Sequence, residues 1–232
     1  MKNKIRLAKF LANCGLTSRR KAENLILKGK VSIDRKVVTK LATKVEEDVL
    51  NIFVNNKRIK SAVKEYYILN KPKGYICSLN DPYNSKTVIS LIKTKKRIFP
   101  VGRLDKNSQG LLLLTNDGDL TYKLTHPKFN VLKTYLVVLD KEIKKKDILK
   151  LKKGIKLEEG IAKVDKIELK NKNEILITIH QGWKRQIRRM LEILNYKVKE
   201  LTRISEGRLK LGRLKLGQYK KIKKENIIFL NS

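Results

Sequence analysis

The stretch Gly102-Arg103-Leu104-Asp105-Lys106-Asn107-Ser108-Gln109-Gly110, continuing as Leu111-Leu112-Leu113-Leu114-Thr115-Asn116-Asp117-Gly118, constrains the fold more tightly than any other part of the chain. An apolar approach, Ile98 to Val101, enters a polar loop, and an unbroken run of four leucines leaves it. This order predicts a strand, a turn and a second strand, the latter over residues 111–115. The loop carries one carboxylate, Asp105, with Arg103 two residues before it. An aspartate beside a cation stays ionised and can stand out from a buried framework, and a carboxylate nucleophile requires both. Taken alone, the pattern also fits an ordinary turn with Asp105 as a turn residue. Asp117 and Asp119 sit in Asn116-Asp117-Gly118-Asp119, a turn signature, and are expected to be structural.

A chain of 232 residues can hold two modest domains with real cores. Its 56 Lys and Arg stand against 22 Asp and Glu, a formal net charge of +34. Folding gains nothing from that self-repelling excess, so a polyanionic partner is its natural explanation. A coding bias toward Lys, Asn and Ile accounts for part of it. Residues 1–60 hold 16 basic and 5 acidic residues, which leaves 40 and 17 for the rest, so both parts should meet phosphates. No run of eighteen apolar residues and no signal-peptide core occurs, so a soluble, cytoplasmic protein without membrane attachment is expected. Cys14 and Cys77 are far apart and read as reduced, unpaired thiols. His126 and His180 are isolated, and no zinc spacing, Walker loop or dinucleotide fingerprint is present. The chemistry is expected to need no metal and no nucleotide cofactor.

Residues 1–60 read as a small module. Leu7, Phe10, Leu11 and Cys14 follow helical spacing, Gly15 ends that helix, and Thr17 or Ser18 can cap the next. Ala22, Leu25 and Ile26 give the second helix its apolar stripe, Gly29 ends it, and residues 31–34 alternate like a short strand. Arg19, Arg20 and Lys21 fall in the first turn of that helix, where cations oppose its dipole; placement against local preference points to phosphate contact. Residues 56–64 are polar and basic and read as the linker. The second domain, residues 61–232, opens with a strand at Tyr66-Tyr67-Ile68-Leu69 running into Asn70-Lys71-Pro72-Lys73-Gly74. Further strands are predicted at 111–115, 134–139, 174–179 and 198–203. A helix after Gln186 carries Ile187, Met190, Leu191 and Leu194 on one face. Residues 141–153 form a Lys-rich helix or loop. The expected class is α+β, with a mixed, mostly antiparallel sheet in the larger domain.

Arg6-Leu7, Leu11, Gly15, Ser18-Arg19-Arg20, Ala22, Leu25-Ile26, Gly29 and Val31 resemble the S4 RNA-binding domain across residues 3–55. That resemblance implies a module that reads structured RNA through backbone and shape. The segment from Gly102 to Gly118 resembles the active-site signature of the RsuA/RluB family of pseudouridine synthases. Lys133-Thr134-Tyr135, after Leu124-Thr125-His126-Pro127, resembles the family's second signature, and Arg185-Gln186-Ile187-Arg188-Arg189-Met190 its third. Three signatures in the right order extend the resemblance from about residue 3 to 220.

Turning uridine into pseudouridine breaks C1′–N1, rotates the base and forms C1′–C5, with no net electron transfer. The step needs a carboxylate near C1′, a base held out of the stack, and a closed pocket that retains the detached uracil. The resemblance implies that Asp105 is the catalytic aspartate, that Tyr135 stacks on the flipped base and moves a proton, and that Arg188 pairs with Asp105. Arg6, Ser18, Arg19, Arg20, Lys21, Lys71, Arg103, Lys133 and Arg185 are expected to contact RNA; Arg103 either meets the backbone or fills the gap left by the flipped base. The chain departs from the commonest pattern at Asn107-Ser108-Gln109 and at Gln181-Gly182-Trp183-Lys184, and Trp183 could stack on RNA or simply pack. The expected substrate is 23S rRNA, free or in an assembling ribosomal particle, acted on by a monomer. A 16S rRNA substrate and a non-catalytic RNA-binding or ribosome-assembly protein are the alternatives.

Overall fold

The computed structural model describes residues 4–46, 51–79, 81, 83 and 86–227. The chain divides into two compact units. The first is Met1–Glu65 with Thr94–Ile98 and Asn116–Gly118; the second is the remainder.

In the first unit, strand β1 (Lys4–Arg6) runs into helix α1 (Leu7–Asn13), and helix α2 (Arg19–Leu27) follows. The helical spacing read from the sequence is met, because Leu7, Leu11, Ala22 and Ile26 are wholly buried. Ser18 is the cap of α2, its Oγ accepting from the Lys21 amide at 3.2 Å. That leaves Arg19, Arg20 and Lys21 exposed in the first turn. Strands β2 (Val31–Ile33), β3 (Lys36–Val37), β5 (Ile52–Val54) and β6 (Lys57–Arg58) form one antiparallel sheet in the order β3-β2-β5-β6. Strand β4 (Lys44–Glu46) pairs with β1. Val31 and Ile52 join the same core as the helices. Asn116, read as a turn residue, is buried here; its side chain accepts from the Glu65 amide and donates to the Val63 carbonyl.

The second unit contains strands β7 (Tyr66–Lys71), β8 (Phe99–Pro100), β9 (Gln109–Thr115), β10 (Lys133–Leu139), β11 (Ile155–Leu157), β12 (Gly160–Ala162), β13 (Lys166–Asn171), β14 (Glu174–Ile179), β15 (Val198–Glu206), β16 (Leu209–Lys210) and β17 (Tyr219–Ile222). Helices α3 (Gly118–Thr125), α4 (Lys145–Lys153) and α5 (Gln186–Ile193) interrupt them. The main sheet follows the order β13-β14-β10-β15-β9-β7-β17, with β8 added to β9 and β16 to β15. Among the described strands of this sheet only β15 and β9 pair in parallel, so the sheet is mixed and mostly antiparallel within an α+β fold, as expected. The five strands read from the sequence are all present, several of them longer. Leu111 to Leu114 are each fully buried, so both faces of β9 are covered. Each buried leucine contributes roughly 1.5–3 kcal/mol, and the row makes β9 a rigid rail behind the Asp105 loop.

Gly110 sits at the joint between loop and rail. Its φ is +109°, and a Cβ there would lie 2.3 Å from the Arg203 carbonyl oxygen. Only glycine lets the start of β9 pair so closely with β15, opposite Arg203. Two details were not legible in sequence. The Asn116–Asp119 turn continues into α3, with Asp119 in the first turn where its charge suits the dipole. The Lys-rich stretch becomes helix α4 only from Lys145.

Candidate active site

Asp105 lies in the wall of a cleft of about 890 Å³ within the second unit. The backbone carrying it is fastened at every carbonyl. The Asp105 carbonyl accepts from the Ser108 amide at 3.0 Å and from Lys71 Nζ at 3.1 Å. The Lys106 carbonyl accepts from the Gly74 amide at 2.8 Å, the Asn107 carbonyl from Arg188 at 3.1 Å, and the Ser108 carbonyl from Lys71 Nζ at 2.8 Å. On the other side, Cys77 Sγ accepts from the Leu104 amide and donates to the Leu104 carbonyl. The Asp105 side chain itself makes no hydrogen bond or ion pair among the described residues. Its peptide is immobilised and its carboxylate is left available.

Lys71 was expected at an RNA surface, and here the structure corrects the reading. It is wholly buried at the end of β7, beneath the loop. Its ammonium meets backbone carbonyls rather than phosphate, which compensates for leaving water. Burial pulls its pKa below the usual 10.5, while Cys77 and the Asp105 carboxylate oppose that pull. Burial likewise pushes the Cys77 thiol up.

Tyr135 points into the cleft from β10, which pairs with β15 so that Tyr135 stands opposite Arg203. Arg203 is 2% exposed. Its Nε donates to the Leu111 carbonyl at 2.8 Å, and its Nη2 lies 3.3 Å from Glu206 Oε2. Burial raises the Tyr135 pKa above 10; Arg203 works against that, and Glu206 with it. Burial by itself would lower the pKa of Arg203, but Glu206 and Tyr135 outweigh it and the net shift is upward. Neither Glu206 oxygen has a hydrogen-bond partner among the described residues. A buried ion pair with spare acceptors is a poor source of stability, so its value lies in fixing where Arg203 points.

Arg188, expected to pair with Asp105, donates instead to the Val198 carbonyl at 2.8 Å and to the Asn107 carbonyl at 3.1 Å. No ion pair joins it to Asp105 among the described residues, although the Asp105 charge acts on it: burial and Arg185 lower its pKa, and Asp105 raises it. It therefore grips the loop rather than the carboxylate. Arg189 forms a two-pronged contact with Glu159. Lys133 lines the cleft but turns its ammonium to the Val131 and His180 carbonyls. Arg103 and Arg185 line the cleft and are exposed, as are Lys106 and Lys184, which sequence reasoning had passed over. Trp183 lines the cleft and lies against Gly160, the indole 3.5 Å from where a Cβ there would stand. Arg6, Ser18, Arg19, Arg20 and Lys21 all belong to the first unit.

Arg203 and Glu206 line the cleft and were not singled out as site residues from the sequence. A signal was present, because strand alternation puts Arg203 on the same side as buried Leu201, and a cation on a buried face needs a partner.

Comparison with known proteins gives a consistent result. Residues 65–193 match the family described as RNA pseudouridylate synthase, and residues 5–50 match the S4 domain. An RNA pseudouridine synthase of Aquifex aeolicus, described as uncharacterized, is 44% identical over 213 residues, covering 89% of this chain and 86% of the relative. Ribosomal large subunit pseudouridine synthase B of Bacillus subtilis is 43% identical over 206 residues, covering 85% and 84%. A crystal structure of a pseudouridylate synthase superposes with a TM-score of 0.71 at 30% identity, covering 96% of this chain and 98% of the other.

Proposed function

The chain belongs to the RNA pseudouridylate synthase family, and from that premise we propose that it isomerises a uridine of 23S ribosomal RNA to pseudouridine with Asp105 as the reacting carboxylate. The observation that carries the assignment of Asp105 is the loop: every carbonyl from 105 to 108 is held, while the carboxylate is free and faces the cleft. Such preorganisation lets a group act without rearranging at the moment of reaction. The cleft volume of about 890 Å³ falls within the roughly 300–1,000 Å³ of small-ligand sites and accommodates a flipped nucleotide.

The reaction needs four events in balance. The C1′–N1 bond breaks, with Asp105 attacking C1′ or stabilising its positive charge. The freed uracil turns inside the cleft. C5 bonds to C1′, displacing the Asp105 carboxylate where it had attacked, and the proton on C5 leaves while N1 gains one. Tyr135 flanks the base and handles the C5 proton, with Arg203 opposite it across the strand pair. Arg103, Lys106, Lys184 and Arg185 supply positive charge at the rim for phosphates. Arg6, Ser18, Arg19, Arg20 and Lys21 of the S4 module bind RNA as well.

The choice of 23S rRNA is supported by the Bacillus subtilis relative, whose name places it on the large ribosomal subunit. The test uses unmodified 23S and 16S transcripts labelled with tritium at uracil C5. Release of tritium to water from 23S alone is expected, with none from Asp105→Asn, which should still bind. Release from 16S alone would overturn the substrate; release by Asp105→Asn at the wild-type rate would overturn the nucleophile.

A further inference from the structure

Three aromatic rings stand together in solvent beside the cleft. Helix α3 ends at Thr125, and a short turn over Pro127–Phe129 follows, capped by His126, whose Nδ1 accepts from the Lys128 amide at 3.3 Å. Tyr122 is 48% exposed and Phe129 41%. The ring centroids of Tyr122 lie 4.7 Å from His126 and 5.8 Å from Phe129. Lys128 Nζ sits 5.2 Å from the Tyr122 ring and 4.9 Å from the Phe129 ring. The rings meet tilted or edge-on, so they cover one another only in part.

A folded chain gains by burying rings of this size, and this fold leaves them out. Two observations indicate what covers them. The patch is continuous with the cleft, since His126, Pro127 and Asn130 line the same cavity as Asp105 and Tyr135. It is also cationic, with exposed Lys123 and Lys128 among the rings. Aromatic faces interleaved with lysine are the combination that single-stranded nucleic acid binds, because every base has a face to stack and every nucleotide a phosphate to neutralise. A protein partner fits less well, since interface cores are depleted in lysine.

We propose that Tyr122, His126 and Phe129, with Lys128, form a stacking platform for an unpaired nucleobase next to the uridine that enters the cleft. This rests on the reading that the cleft receives a uridine of RNA. A uridine that leaves a helix gives up its stacking on its neighbours, and a platform one step away offers such a neighbour a new surface. It contributes affinity with little sequence preference.

The test uses the full-length protein and an unmodified 23S transcript with 4-thiouridine sparsely replacing uridine. After irradiation, a crosslink is expected in the tryptic peptide holding Tyr122 or the one holding Phe129. Tyr122→Ala/Phe129→Ala should bind the transcript on the order of tenfold more weakly, whereas Tyr122→Phe/Phe129→Tyr, which keeps both rings, should restore the affinity. No crosslink in either peptide, together with unchanged affinity of the alanine variant, overturns the platform and leaves the patch to a protein partner. Conversion of uridine is read separately on the unsubstituted transcript. If it fails, the reading of the cleft falls, while crosslink and affinity still uphold or overturn the platform.

Discussion

The floor beneath the Asp105 loop and the first turn of α2 use positive charge in opposite ways. In that floor, Lys71 and Arg203 are buried and Arg188 half-buried, and all three turn to the protein itself: loop carbonyls, strand carbonyls and one buried carboxylate. At α2, Arg19, Arg20 and Lys21 are exposed, and among the described residues the only ion pair they make is Arg19 with Glu23 at 3.8 Å. A count of 56 Lys and Arg therefore mixes two populations. One fixes geometry and should be felt in stability and turnover; the other should be felt in affinity and its salt dependence.

The largest expected effect is on the floor. Arg203→Met strands Glu206 as a buried, unpaired carboxylate and should cost about 3–5 kcal/mol of stability by denaturant unfolding. Adding Glu206→Leu should recover most of that loss without recovering turnover, because Tyr135 still lacks the positive charge opposite it. If the double variant regains both, Arg203 is only structural. Lys71→Met should cost less, about 2 kcal/mol, by leaving loop carbonyls unsatisfied. The smallest effect concerns pH. Burial lowers the pKa of Lys71 in the folded state, so between that lowered value and the usual 10.5 the unfolded chain holds more protons and stability rises with pH. The stability of wild type relative to Lys71→Met should be flat below that window and climb through it; a fall would mean the ammonium is favoured, not penalised, where it sits.

What the sequence revealed and concealed follows the range of the interactions. Helices α1, α2 and α5 and the main strands were legible because periodicity is local, and Ser18 was readable as a cap for the same reason. Asp105 and Tyr135 stood in contiguous signatures and do line one cleft. Lys71 was misread because Asn70-Lys71-Pro72-Lys73-Gly74 looks like a polar strand end; nothing nearby shows that a loop 34 residues later folds over it. The Arg203–Tyr135 contact depends on the register of β10 against β15, which no single segment encodes. Arg188 lay in a readable motif, but its partners, Asn107 and Val198, are set by tertiary packing.

The central claim is that cations of the floor govern the chemical step while those of α2 govern binding. It is tested most directly by comparing Arg188→Ala with Arg19→Ala/Arg20→Ala/Lys21→Ala in two readouts: single-turnover rate at saturating protein, and transcript affinity against salt. Arg188→Ala should react roughly 30-fold more slowly, the equivalent of about 2 kcal/mol for a lost charged donor, with affinity nearly unchanged. The triple variant should react at the wild-type rate but bind more weakly, its slope of log affinity against log salt shallower by on the order of 2 for three lost phosphate contacts. A slow triple variant with an unchanged slope, or an Arg188→Ala protein defective only in affinity, would contradict this division of labour.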